Sequence, residues 1–175
     1  MHLNPYGEDV VNLAADLANR RPGDPAELTA RCRAAGLALD DATPADLVRT
    51  MAALDAWEKI VDADAEHDRA ALLNEMLATA SAHPRLTNHT GTGWHVHYRD
   101  DHQPAGAVLH TLIAVGTAFH LSGRGMHRLH RCAVTECLTI FADTSRTGRQ
   151  RYCSQRCANR DAVRRHRAQA AKTAG

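Results

Sequence analysis

The 175-residue chain is poor in aromatic side chains, which make up 4% of it, and it has 2 lysines against 19 arginines. The first scarcity removes the residues that most favour strands, while 32 alanines favour helices. The second reads as codon bias rather than mechanism. Unbroken apolar runs are missing too. The longest mainly apolar stretch, Ala105 to Leu121, is interrupted by His110, Thr111, Gly116, Thr117 and His120. No segment is therefore expected to span a bilayer, which takes roughly 20 apolar residues. The opening Met1-His2-Leu3-Asn4-Pro5-Tyr6 lacks the basic and apolar regions of a signal peptide. A cytoplasmic protein is expected, with its thiols reduced. Gly-rich phosphate loops, nucleophile elbows and paired catalytic carboxylates are also missing, so an enzyme is not expected.

What is present is uneven. Residues 1–123 carry 9 basic and 17 acidic side chains, and residues 124–175 carry 12 and 3. The net charge of +1 thus separates into −8 and +9. Such asymmetry points to a nucleic-acid or membrane contact on the basic part.

An apolar fraction of 44% is enough for a core. Helical periodicity runs through the first ~83 residues. Val10, Val11, Leu13, Ala14 and Leu17 pattern a helix over Glu8–Asn19, and a shorter one follows from Pro25 to about Ala35, stopped by Gly36. Thr43-Pro44-Ala45-Asp46 is a helix start with an N-cap, a proline at the first position and an acid in the first turn. Leu47, Met51, Leu54, Trp57 and Val61 then recur at steps of three and four, and a fourth helix begins near Glu66. After Pro84 the period changes. Thr92, Trp94, Val96 and Tyr98 alternate with Gly93, His95, His97 and Arg99 as in a strand, with Leu86-Thr87-Asn88 the nearest partner. Trp57 and Trp94 are read as core residues. A further helix spans Pro104 to about Leu121, and Ser122-Gly123-Arg124-Gly125 reads as a hinge. The domain organisation expected is a helical unit over 1–123 and a small basic unit over 124–175.

That basic unit holds four of the five cysteines, spaced Cys132-x4-Cys137, then fifteen residues, then Cys153-x3-Cys157. Four thiolates in two close pairs suit tetrahedral Zn2+, and a full protein ligand set makes the site structural rather than catalytic. Leu138-Thr139-Ile140-Phe141 and Arg149–Tyr152 are expected to pair as a hairpin around the turn Thr144–Gly148. Ser154 suits an N-cap for a helix over Gln155 to about Gln169, which places Cys157 in its first turn. The fold class expected is mainly α within α+β. It comprises a helical N-terminal domain with a small β element, then a C-terminal treble-clef-like zinc finger.

Arg131-Cys132, Cys137, Phe141-Ala142-Asp143-Thr144-Ser145-Arg146, Gly148, Arg151-Tyr152-Cys153-Ser154 and Cys157-Ala158-Asn159-Arg160 together resemble the CGNR zinc finger. Ala158 stands where that family has its naming glycine. Proteins of the family place the finger after an ABATE domain, and Asp9-Val10-Val11-Asn12-Leu13 resembles that domain's opening. The resemblance implies a stress-induced transcription regulator of bacterial type.

Arg156, Arg160, Arg164 and Arg167 form a stripe on the last helix, with Asn159 and Arg165 beside it and Arg146, Arg149 and Arg151 on the hairpin. Guanidinium groups at this spacing can bind successive phosphates or base edges. Alternatively they neutralise the zinc thiolates, or the finger is a structural protein-interaction module without nucleic-acid contact. The acidic N-terminal part could also cover the basic face. Partners expected are duplex DNA, a second copy of the chain and a small-molecule effector on the N-terminal domain, with no membrane. His95 and His97, with His89 or His102, could form a second metal site, though solvent-facing histidines are the plainer reading. His127 and His130 are assigned to the basic surface, and Cys32 to either a tuned thiol or a buried one.

Overall fold

The computed structural model describes residues 7–88 and 93–173. Met1–Tyr6, His89 and Thr92 lie outside the described residues.

Local sequence sets the first helices. α1 (Glu8–Asn19) buries Val10, Val11, Leu13, Ala14 and Leu17. α2 (Pro25–Ala34) starts at the Asp24 cap, whose carboxylate accepts from the Glu27 amide. α3 (Pro44–Asp62) opens with a full capping box, the Thr43 hydroxyl and the Asp46 carboxylate each accepting from the other's backbone amide. α4 (Glu66–Ala80) ends ahead of Pro84.

β1 (Arg85–Thr87) and β2 (His95–His97) pair antiparallel, so Leu86-Thr87 finds the expected partner. Trp94 departs from expectation. It is 72% exposed, and so are Leu86 and Val96 in good part, because the hairpin turns Arg85, His95 and His97 inward and its aliphatic pair outward.

α5 (Ala105–Arg124) is the central helix, packed on by α1, α3 and α4. It is long and apolar enough to cross a membrane by length and composition, contrary to the reading of its interrupted run. Most of it is buried, however. Thr117 accepts from Trp57 Nε1 (2.9 Å) and donates to the Ile113 carbonyl (2.6 Å). Gly116 lets α1 approach: a Cβ there would lie 3.0 Å from Val10 Cβ. The expected hinge is the last turn of this helix, closed by Gly125 at φ 120°.

β3 (Leu129–Arg131) and β4 (Ile140–Ala142) follow, then α6 (Gln155–Thr173). Here the expected pairing is corrected. β4 pairs with β3, upstream of the first cysteine, and not with Arg149–Tyr152. The Asp143 carboxylate takes the Gln150 amide (3.0 Å), and the Arg151 carbonyl accepts from Ala133 (2.8 Å), so the return segment is bound without forming a strand.

The hairpin β3–β4 shares the core of the helical body. Leu129, Ile140 and Ala142 are buried in the same cluster as Leu17, Trp57 and Ile113. Asn19 on α1 binds the edge of β4 twice, donating to the Ile140 carbonyl (2.8 Å) and accepting from its amide (2.8 Å). Arg131 on β3 reaches Asp62 (2.6 and 2.8 Å) and Glu58 (2.9 Å) on α3.

Candidate zinc centre and basic face

The four sulfurs are gathered by three local devices. A tight turn, closed by the Cys137 amide donating to the Val134 carbonyl (2.8 Å), brings Cys132 and Cys137 together; Leu138 leaves it in the left-handed region at φ 54°. The Cys132 amide donates to the Thr139 carbonyl (2.8 Å), aligning this turn with β4. The Ser154 hydroxyl caps α6 by accepting from the Cys157 amide (3.3 Å), which fixes Cys157 in the first helical turn as expected.

All four Sγ atoms lie within 4.8 Å of one another. Cys137–Cys153 and Cys137–Cys157 are 3.6 Å apart, and Cys153–Cys157 are 3.7 Å apart. A tetrahedral zinc with Zn–S bonds of about 2.3 Å needs edges of about 3.8 Å, so the donor set fits the ion. Protonation is uneven across the cluster. The Thr139 hydroxyl donates to Cys137 Sγ (3.1 Å) and draws that thiol down to about 6, while burial and the neighbouring sulfurs push Cys153 up to about 12. A bound dication would stabilise all four as thiolates. The four cysteines are thus positioned to bind one zinc ion, with Val134, Phe141 and Tyr152 as the small apolar shell around them.

Two carboxylates that the spacing argument passed over brace this unit. Asp143, almost fully buried, accepts from the Ser145 amide (2.8 Å) and the Gln150 amide (3.0 Å) and faces Arg128 (3.6 Å). Asp161, also buried, accepts from the Tyr152 hydroxyl (2.6 Å), Arg164 (2.5 Å) and Arg165 (2.9 Å). Burial raises the Asp143 carboxyl, but the Ser145 and Gln150 hydrogen bonds and Arg128 together outweigh it, and at Asp161 the Tyr152 hydroxyl leads; both carboxyls lie below the usual carboxylate range. Arg128 donates to the carbonyls of Arg124 (3.1 Å) and Ser145 (2.6 Å), tying the end of α5 to the turn after β4. Gly148 turns beside it in the left-handed region at φ 66°, which favours glycine, and a Cβ there would lie 2.5 Å from Arg128 Cζ. Asp143 was legible only as part of the Asp-x-Ser-Arg turn. Asp161 had one signal, a lone acid in a basic helix.

Arg146, Arg149, Arg151, Arg156, Asn159, Arg160, Arg164, Arg165 and Arg167 are all exposed. Seven of them line two grooves. Arg149, Arg151 and Arg165 line a groove of about 400 Å3 beside Tyr152, whereas Asn159, Arg160, Arg164 and Arg167 line a separate surface of α6. Among them, Arg160 Nη2 comes near a cluster sulfur, at 3.9 Å from Cys157. Glu58 and Asp62 engage Arg131, which is not one of the nine. α6 itself packs on no other helix beyond glancing contact.

The other candidates resolve differently. His95 and His97 are brought together, Nε2 to Nε2 at 3.1 Å and half-buried rather than solvent-facing, but no third ligand joins them in a metal-binding group among the described residues. His130 packs on Phe141 with ring centres 4.5 Å apart. Cys32 is fully buried and its thiol is pushed up to about 11 by burial, which makes it an inert core residue.

No curated protein matches the chain at a significant level. Two families do. The CGNR zinc finger matches residues 128–170, spanning all four cysteines, β3, β4 and most of α6. ABATE, described as "Putative stress-induced transcription regulator", matches residues 11–124, from α1 to the end of α5. With that match covering more than half of its length, and a zinc-ready four-cysteine cluster following it, the chain belongs to the ABATE family and carries a CGNR zinc finger.

Proposed function

We propose that the protein is a zinc-dependent transcription regulator that binds duplex DNA through its finger. In this reading the turn of Cys132 and Cys137, β4 and α6 form a treble-clef-like unit that zinc holds together. Its basic side chains contact DNA, while the helical body senses a small-molecule effector or joins two copies of the chain. The observation that carries the reading is the exposure of all nine candidate side chains on a helix and turn that the acidic body leaves uncovered. The outward Trp94, Leu86 and Val96 favour a protein partner for the body.

Fluorescence anisotropy of duplex DNA against salt tests this. Affinity should fall linearly on log–log axes, with a slope of about −0.9 per phosphate neutralised. Arg156→Ala with Arg160→Ala should flatten that slope by about 2. Absence of binding at low salt would instead leave the finger as a protein-interaction module.

A further inference from the structure

The helix that carries five of the eight candidate arginines has an inner and an outer side. Cys157 and Asp161 are buried and Ala158 half-buried, so these residues mark the side held by the zinc unit. At 3.6 residues per turn, Arg156, Asn159, Val163 and Arg167 fall on the opposite side, with Arg160 at its margin, its Nη2 3.9 Å from Cys157 Sγ. Arg165 lies on the inner half, turned to the groove that Arg149 and Arg151 share. It is also held by Asp161. Asp161 also holds Arg164, at the edge of the outer side (2.5 Å).

The outer side is also distinctive in chemistry. Val163 is 50% exposed, an apolar side chain lining a surface with Asn159, Arg160, Arg164 and Arg167. Elsewhere on α6 the exposed apolar side chains are alanines. Asn159 Oδ1 accepts from Gln155 (2.8 Å), both side chains lying at the surface. An α-helix is about 10–12 Å across and the DNA major groove about 12 Å wide. In that groove, the apolar feature on a base edge is the thymine methyl group.

On the DNA-binding reading above, we infer that the outer face of α6 enters the major groove, with Val163 seated on a thymine methyl. Arg156 and Arg167 contact phosphates or guanines around it. Arg149, Arg151 and Arg165 lie outside the interface. Val163 is thereby a specificity residue, and the arginines supply charge. The occupant is duplex DNA on charge complementarity, since no carboxylate lies on this face.

The test uses the full-length, zinc-loaded protein and a site selected from random duplex DNA. Each thymine of that site is replaced in turn by deoxyuridine, which removes only the methyl group. The wild-type protein should lose about fourfold in affinity at one or two positions, the worth of a buried methyl group. Val163→Ala should be insensitive at those same positions while keeping its zinc and its salt slope. Arg149→Ala/Arg151→Ala/Arg165→Ala should bind within about twofold of wild type, and Arg156→Ala/Arg167→Ala should lose more than about tenfold. Silent uracil replacements, unchanged methyl sensitivity in Val163→Ala, or the reverse ranking of the two arginine variants would overturn the assignment with DNA binding intact. Failure of the wild type to bind any duplex would overturn the DNA-binding reading itself.

Discussion

Asp143 and Asp161, two of the three carboxylates in a segment with 12 basic residues, are buried and each gathers several donors. Their role follows from the cost of leaving a buried donor unmatched, about 1–3 kcal/mol. Asp143→Ala should therefore lower the unfolding free energy by about 2 kcal/mol, read from urea midpoints, because it strands the amides of Ser145 and Gln150. At the sulfurs, one zinc per chain is expected. Cys153→Ser should release it and unfold α6, and metal content with far-ultraviolet circular dichroism checks both. Retained zinc and unchanged helicity would refute the ligand assignment.

Two histidines on α5, one half-buried and one buried, add a pH dependence. His110 is held below its ordinary value by burial and by Arg49. Burial also depresses His120, whose Nε2 lies 3.2 Å from the Arg128 carbonyl, with Arg128 and Asp143 the charged groups about it. The unfolded chain takes up protons first as pH falls through about 6.5, so folding stability declines below that value. Urea midpoints at pH 7.5 and 5.5 should show the decline, and His120→Gln should reduce it. The window sits above the carboxylate range, which keeps Asp46 and Asp143 out of the comparison.

Among the elements, helices with caps were legible in the sequence. Thr43-Pro44-Ala45-Asp46 and Asp24-Pro25 each name their own start, since the cap is a local hydrogen bond. The β elements were legible in part. Alternation located Val96 correctly within a strand, but could not say which face is inward, so Trp94 was misassigned. The finger hairpin failed for a different reason. Leu129-His130-Arg131 has little strand character of its own, and its pairing with β4 depends on α1 and α3 behind it. Asn19 is the clearest case, an ordinary-looking residue at a helix end that satisfies a strand edge 121 positions away. Asn19→Ala should cost about 1–3 kcal/mol by leaving both polar groups of Ile140 without a partner. A differential scanning calorimetry trace indistinguishable from wild type would refute it.

Over the whole molecule, the split of charge into −8 and +9 was legible by counting, and the four ligands by spacing. What the acidic body does with the basic segment was not, because ion pairing depends on where the chain returns. Glu58 and Asp62 meet Arg131 at the entrance of the finger, while Glu8 meets Arg124 within the helical body, and α6 lies outside these contacts. Each such partly exposed pair is worth about 1 kcal/mol or less, so the shared apolar cluster carries the join. Chelation of zinc should accordingly raise amide exchange across 148–173 and spare Leu129, Ile140 and Ala142, as followed by hydrogen–deuterium exchange. Loss of protection in the hairpin to the same extent would show that the join depends on metal.

The two hydrogen bonds from Asn19 to Ile140 also order events in time. α1 leaves the ribosome early, yet the strand it seats on is translated 121 residues later. The helical body cannot finish its core while it is being made; it stays open along one flank until β3 and β4 have emerged. A nascent chain stalled near Arg124 would present that flank to chaperones and proteases, so that quality control on the body becomes a check that the finger has been translated.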